Sequence, residues 1–103
     1  MRLVIRGIRG FDWDEANWRK SEEKHGVAAA EAEEVLLRDP LCQVDPRHSE
    51  AEQRYVALGA TGEGRRLFGA FTVKRNRIRI VSARPMSRKE REIYEEEKAV
   101  ERR

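Results

Sequence analysis

The stretch RYVALGATGEGRRLFGAFTVKRNRIRIVSAR, residues 54–84, decides the fold because it contains three extended runs joined by short links. Within residues 54–60, Tyr55, Ala57 and Gly59 alternate with Val56 and Leu58, as they would along an extended strand. Residues 67–73 are apolar on both faces, which is typical of a strand inside a sheet. Residues 77–84 open with arginine and isoleucine in alternation, one cationic face and one apolar face. Arg75-Asn76 favours a tight turn because asparagine tolerates positive φ. The stretch therefore predicts a three-strand antiparallel meander.

The residues before the meander predict one strand and two helices. Residues 3–13 contain a possible strand, after which Asp12 or Asp14 can cap a helix that ends near Gly26, a residue suited to the left-handed closing position. The alanines and acids of residues 28–37 are good helix formers with a narrow apolar stripe. Both helices are expected to cover the sheet.

The residues after the meander predict a third helix. Ser87 and Glu90 have the spacing of a capping box, and Ile93 faces inward in the helix that follows. Residues 41–46 serve as a lead-in to the first long strand. The predicted class is α+β: one domain over residues 1–103, with a small antiparallel sheet made of the meander plus the N-terminal strand. Two N-terminal helices and one C-terminal helix pack on one face of this sheet.

The composition excludes several classes of protein. Of the 103 residues, 40% are charged, and no stretch approaches the roughly 20 apolar residues of a membrane-spanning helix. Arginines interrupt the apolar residues near the N-terminus, which argues against a secretion signal and for a cytoplasmic location. A single cysteine, Cys42, and two histidines offer neither an internal disulfide nor a zinc site. We expect no cofactor.

Charge is unevenly distributed along the chain. Residues 54–91 hold eleven basic and two acidic side chains, a net charge of +9, although the whole chain carries only +3. The commonest partner of such a positive field is a phosphate backbone. The alternative is a solvated surface that serves solubility.

Basic and acid–base side chains are sufficient for RNA cleavage without a metal ion. The reaction needs an activated ribose 2′-hydroxyl, a held phosphate charge and a protonated leaving oxygen. Arg54, Arg79 and Arg84 lie on predicted strands, where they could clamp a phosphate or simply keep sheet edges soluble. His25 ends the first helix as either an acid–base group or an electrostatic cap. His48 lies in a polar segment whose spacing matches no metal motif.

Several short fragments, in this order and spacing, resemble the BrnT family over residues 10–96. They are Phe11-Asp12-Trp13-Asp14-Glu15, Lys24-His25-Gly26-Val27, His48-Ser49-Glu50 with Glu52 and Arg54, Ile78 to Arg84, and Ser87-Arg88-Lys89-Glu90-Arg91 with Tyr94. Where the family commonly has Asn-Leu, this chain has Ser21-Glu22, which we expect to thin the packing of the first helix.

The resemblance implies a RelE-like fold and a ribonuclease toxin that arrests translation, with RNA as substrate. It also implies a BrnA-type ribbon-helix-helix antitoxin, contact with DNA only through that antitoxin, and no membrane partner. Arg84 is expected to matter more for cleavage than Arg79. The residues that the resemblance assigns to catalysis are Lys24, His25, Arg54, Arg84, Glu52 and His48, and those assigned to RNA binding are Arg79, Arg77 and Arg88.

An inhibitor of a cationic cleavage surface should combine acidic side chains with an apolar anchor. Trp18, Phe68 or Leu67 would supply the apolar contact on this chain if one of them is exposed. The competing hypothesis is a non-catalytic module that binds nucleic acid or a partner through the same basic block. The two differ in one respect: a binding module has no cleavage to lose when an acid–base residue is replaced.

Overall fold

A computed structural model describes residues 7–45, 47 and 52–102. It contains one five-stranded sheet in the order β1-β5-β4-β3-β2 and three helices, so the predicted α+β class is confirmed. None of the helices in these ranges is long and apolar enough to cross a membrane. The elements are β1 (Gly10–Trp13), α1 (Glu15–His25), α2 (Ala29–Leu37), β2 (Leu41–Val44), β3 (Arg54–Ala60), β4 (Arg66–Lys74), β5 (Arg77–Pro85) and α3 (Arg88–Glu101).

The meander has four strands rather than three. β3, β4 and β5 pair antiparallel as predicted, and both Arg75 and Asn76 have positive φ in the turn between β4 and β5. The expectation that residues 41–46 are only a lead-in is wrong, because Leu41–Val44 pairs antiparallel with β3 as an edge strand. Its four residues are too few to produce a clear alternation, and only Cys42 among them is buried. At the other edge, the strand predicted within residues 3–13 is confirmed only as Gly10–Trp13, since residues 3–6 lie outside the described residues, and it pairs parallel with β5 rather than antiparallel.

The core lies between the sheet and the first two helices. Phe71 at the centre of β4 is fully buried, and Ile78 and Ile80 of β5 flank it on the same face. α2 approaches β3 so closely that a Cβ atom at Gly59 would lie 2.6 Å from Cγ1 of Val35. We call this side of the sheet the helix-covered face.

α1 begins and ends where the sequence predicts. The Asp14 carboxylate accepts a hydrogen bond from the Ala16 amide at 3.0 Å, and Gly26 has a φ of +65°. Ser21, expected to thin the packing, is buried, and its hydroxyl accepts a hydrogen bond from the Ala83 amide at 3.3 Å. This contact becomes possible because β1 pairs only with residues 77–80 and leaves the next part of β5 open to α1.

A β-bulge sets which side chains of β5 share a face. Phe71 pairs with Ile80 and Ala70 pairs with Ser82, so Val81 is the extra residue. Since side chains alternate along a regular strand, Arg79 and Arg84, five residues apart, would otherwise point to opposite faces. The bulge returns Arg84 to the same face as Arg79, opposite the helix-covered face. We call this second side the open face.

The third helix lies on the open face, so the expectation of three helices on one face is wrong. The Ser87–Glu90 capping box is confirmed, but α3 has no buried residue, and Ile93 is 45% exposed. Three ion pairs attach α3 to the rest of the chain. Glu90 pairs with Arg84 of β5 and Glu95 with Arg66 of β4, and Lys98 pairs with Asp39, which precedes β2. The apolar positions of α3 are too few and too scattered to form a second core.

Candidate nucleic-acid interface

The register of the strands places four polar residues in one line across the open face. Arg54 of β3 is opposite Thr72 of β4, Thr72 is opposite Arg79 of β5, and Arg79 is opposite Asp12 of β1. Neighbouring strands are separated by about 4.8 Å, so the backbones of Arg54 and Arg79 lie roughly 10 Å apart. We call this line the polar row. In this row, Arg54 and Arg79 lie on opposite sides of Thr72.

Glu52 joins the polar row through an ion pair. Its Oε2 atom lies 3.3 Å from a guanidinium nitrogen of Arg79, and the two side chains are 44% and 54% exposed. Arg54 begins β3 two residues later. The structure therefore brings three of the residues assigned from the sequence, Glu52, Arg54 and Arg79, into one solvent-accessible group.

Thr72 is the residue of the polar row that sequence reasoning did not assign. It is only 4% exposed, and its hydroxyl has no hydrogen-bond partner among the described residues. In the sequence it stands between Phe71 and Val73 inside an apolar run, where threonine is an ordinary strand residue. Only its pairing register with Arg54 and Arg79 identifies Thr72 as a residue of the candidate site.

Arg77 extends the cationic surface toward the turn between β4 and β5. Its guanidinium donates hydrogen bonds to the Asp12 carboxylate at 2.8 Å and to the Phe11 carbonyl at 3.1 Å. The side chain lies over Gly10, and an added Cβ there would be 3.0 Å from it. Lys74, opposite Arg77, is exposed. Two cations thus flank the polar row on its turn side.

Arg84 lies on the open face but is engaged by the protein itself. Its guanidinium forms two parallel hydrogen bonds with the Glu90 carboxylate, at 2.7 and 2.9 Å, and lies 4.1 Å from the centre of the Phe68 ring. These hydrogen bonds raise the pKa of Arg84 and lower the pKa of Glu90. Arg88, also assigned to RNA binding, is almost fully exposed at the start of α3.

Lys24 and His25 are not brought to the polar row. They end α1 on the helix-covered face, next to the loop between β3 and β4, where Arg65 donates to the His25 and Gly26 carbonyls at 3.4 and 2.8 Å. Arg54 is at the opposite end of β3, whose seven residues span about 20 Å. His48 lies outside the described residues. Across the described ranges, no three histidine, cysteine, aspartate or glutamate side chains converge as metal ligands.

Many charges of the basic block are paired with acids from elsewhere in the chain. The Glu31 carboxylate accepts a hydrogen bond from the Ala28 amide at 3.1 Å and two from Arg65 at 2.9 Å, and these hydrogen bonds lower the pKa of Glu31. The +9 field of the sequence is therefore partly neutralised in the fold. The pairs that do so are Arg65–Glu31, Arg66–Glu95, Arg77–Asp12 and Arg79–Glu52, whereas Arg84 pairs with Glu90, whose charge the sum of +9 already includes.

Comparison with known proteins agrees with this architecture. Residues 13–90 match the family described as the ribonuclease toxin BrnT of type II toxin–antitoxin systems. The chain is also similar to the crystal structure of the Brucella abortus ribonuclease toxin BrnT, with 24% sequence identity and a TM-score of 0.55. That match covers 77% of this chain and 97% of the Brucella chain, and at this identity it concerns the fold. No curated protein matches the sequence.

Proposed function

Because the chain belongs to the BrnT family of ribonuclease toxins of type II toxin–antitoxin systems, we propose that it cleaves RNA at the polar row. The cleavage needs no metal ion and inhibits translation. The observation that carries this proposal is the grouping of Glu52, Arg54 and Arg79 on a solvent-accessible sheet face. Two guanidinium groups supply the positive charge that the reacting phosphate requires, and the carboxylate supplies proton transfer.

The reaction follows from these groups. Glu52 leaves Arg79 and takes the proton of a ribose 2′-hydroxyl, whose oxygen bonds to the adjacent phosphorus. Arg54 and Arg79 stabilise the negative charge that develops on the phosphate oxygens. The bond between phosphorus and the 5′ oxygen breaks, and the protonated Glu52 returns its proton to that oxygen. The products are a 2′,3′-cyclic phosphate and a 5′-hydroxyl.

The test compares single variants on a labelled RNA in the presence of a chelator. Glu52→Gln, Arg54→Ala and Arg79→Ala should each lower the cleavage rate by roughly a hundredfold or more. Arg19→Ala is the matched control, since Arg19 forms an exposed ion pair with Glu15 at 2.9 Å on α1, and it should cleave normally. A rate lost with chelator and restored by magnesium would show that a metal is required.

Binding measurements on the same proteins separate catalysis from binding. Glu52→Gln should keep its affinity for RNA because a carboxylate contributes no attraction to phosphate. Lys24→Ala and His25→Ala, on the other face, should retain most cleavage if the polar row is the site. A wild-type protein that binds RNA and never cleaves it would instead favour the non-catalytic binding module.

The family also implies an antitoxin partner, and we propose a BrnA-type ribbon-helix-helix protein that covers the open face and alone contacts DNA. Of the anchors expected from the sequence, Leu67 is buried, Phe68 lies beneath Arg84, and Trp18 is half-buried on α1. A groove of about 260 Å³ between α3 and the edge of the sheet offers a different apolar anchor. Its apolar lining includes Leu41, Val56, Leu58 and Ile93.

This groove continues from the polar row along β3, since Arg54, Val56 and Leu58 alternate onto the same face. A segment with acidic and apolar side chains could therefore occupy both. Ile93→Ser should weaken antitoxin binding at least tenfold, whereas Val100→Ser, at an exposed apolar position of the same helix outside the groove, should not. Light scattering of the co-purified complex counts the chains. Equal affinities of the two variants would move the antitoxin to another surface.

A further inference from the structure

The Thr72 hydroxyl is a buried polar group that makes no hydrogen bond to any described residue. Its residue is 4% exposed, and Oγ1 finds no hydrogen-bond partner in the described part of the chain. A buried hydroxyl without a partner costs stability, whereas valine has nearly the same shape and would avoid that cost. Hydrogen bonding within the described part of the fold therefore gives no reason to prefer threonine over valine at this position.

The neighbours of Thr72 are cations suited to phosphate. Arg54 and Arg79 are its cross-strand partners, one on each side at a separation of about 5 Å between backbones. Both have long cationic side chains that start from the same face of the sheet as Thr72. An anion bound by both guanidinium groups would lie between the two arginines, on the face of the sheet that carries Thr72.

The Glu52 carboxylate already occupies an anion position beside Arg79. Its oxygen is 3.3 Å from Arg79, in a pair whose members are 44% and 54% exposed. Exposed pairs of this kind are weak, so a phosphate can replace the carboxylate at little cost. The same exchange frees Glu52.

We propose that Thr72 is a substrate-binding residue, whose hydroxyl donates a hydrogen bond to a non-bridging phosphate oxygen of RNA held between Arg54 and Arg79. This inference rests on the proposed function, because it assigns the RNA phosphate to the polar row. The hydroxyl fixes the depth and orientation of the phosphate, which long and mobile arginine side chains leave variable. A polar atom that is unsatisfied in the free protein is then satisfied in the complex.

The test replaces the hydroxyl while keeping the shape of the side chain. Thr72→Val should bind a 2′-O-methyl RNA, which cannot be cleaved, about tenfold more weakly than the wild type, and should cleave normal RNA at least tenfold more slowly. Thr72→Ser keeps the hydroxyl and should stay within about threefold of the wild type in both assays. The urea midpoint of Thr72→Val should be unchanged or higher.

Thr61→Val is the matched control. Thr61 is 6% exposed, and its hydroxyl accepts a hydrogen bond from the Arg65 amide at 3.1 Å, in the loop distant from the polar row. This variant should lose stability and keep its RNA affinity. The opposite pattern, with Thr72→Val destabilised or binding RNA like the wild type, would overturn the inference.

The design also separates this inference from the proposed function. If the wild type binds the 2′-O-methyl RNA but cleaves nothing, the ribonuclease assignment fails, and the Thr72 comparison still decides the binding role. If the wild type cleaves and Thr72→Val cleaves equally well, only the role of Thr72 fails. A wild type with no affinity for RNA would overturn both.

Discussion

Replacing Arg84 with alanine tests whether this arginine holds the fold or the substrate. In the structure its guanidinium makes two hydrogen bonds to Glu90, a third to the Pro85 carbonyl at 3.1 Å, and a stacking contact with the Phe68 ring. These contacts tie the start of α3 to β5. The contacts therefore lead us to expect a structural effect of Arg84→Ala and a functional effect of Arg79→Ala, the reverse of the order expected from the sequence.

The loss of stability expected in Arg84→Ala depends on how exposed the Arg84 and Glu90 side chains are. Hydrogen bonds to charged groups contribute roughly 1.5–3 kcal/mol when buried. Arg84 is 35% exposed and Glu90 is 21% exposed, and screening by solvent lowers the contribution of this pair to about 1–2 kcal/mol. The stacking on Phe68 adds about 0.5–1 kcal/mol. Arg84→Ala should therefore lower the free energy of unfolding by about 2 kcal/mol.

Urea unfolding of Arg84→Ala, Glu90→Gln and the double variant measures the coupling free energy between Arg84 and Glu90. We expect a value of about 1–2 kcal/mol. Arg88→Ala is the control, since Arg88 is 96% exposed and 3.9 Å from Glu92, and it should change stability by less than about 0.5 kcal/mol. RNA affinity as a function of salt supplies the second measurement. An Arg84→Ala protein with wild-type stability and a salt slope reduced by about one unit would refute the structural role.

Two further predictions concern packing and pH. Gly59→Ala should cost about 1–3 kcal/mol of unfolding free energy because its Cβ would lie 2.6 Å from Val35, whereas Gly69→Ala, with its nearest atom at 3.8 Å, should change urea stability by less than about 1 kcal/mol. The hydrogen bond from Arg84 lowers the pKa of Glu90 below its usual 4.5, so the stability that Glu90 contributes is present above pH 4.5 and lost as pH falls through its folded pKa. Stability should therefore fall less steeply below pH 4.5 in Glu90→Gln than in the wild type, and parallel urea titrations would contradict this.

Most of the regular elements could be predicted because they carry a local signal. Asp14 and Gly26 bound α1, the Ser87–Glu90 pair starts α3, and alternation fixes β3 and the first half of β5. β2 was missed because four residues at a sheet edge bury only one side chain. The placement of α3 was missed because its attachment depends on ion pairs with distant strands, which sequence spacing does not reveal.

The candidate site was predictable only in part, since it depends on register. Arg54 and Arg79 could be proposed from the cationic strands, but their common row with Thr72 requires the pairing of three strands. Arg84 reaches the same face only through the bulge at Val81. The net charge of +9 counted over residues 54–91 overstates the positive charge of this surface. That count leaves out the carboxylates from other parts of the chain that pair with these arginines in the fold.

The division of the sheet into two faces determines which of these substitutions are informative. Phe71, Ile78 and Ile80 place the core on the helix-covered face, so the exposed side chains of Asp12 and Arg79 contribute little to burial, whereas Thr72 of the same polar row is buried. An exposed ion pair such as Arg79–Glu52 usually contributes less than about 1 kcal/mol to stability, which permits loss of function at either residue to be separated from unfolding. Arg84 differs because its contacts with Glu90 and Phe68 attach α3 to the open face. A loss of cleavage in Arg84→Ala therefore identifies a substrate contact only when the unfolding free energy is shown to be intact.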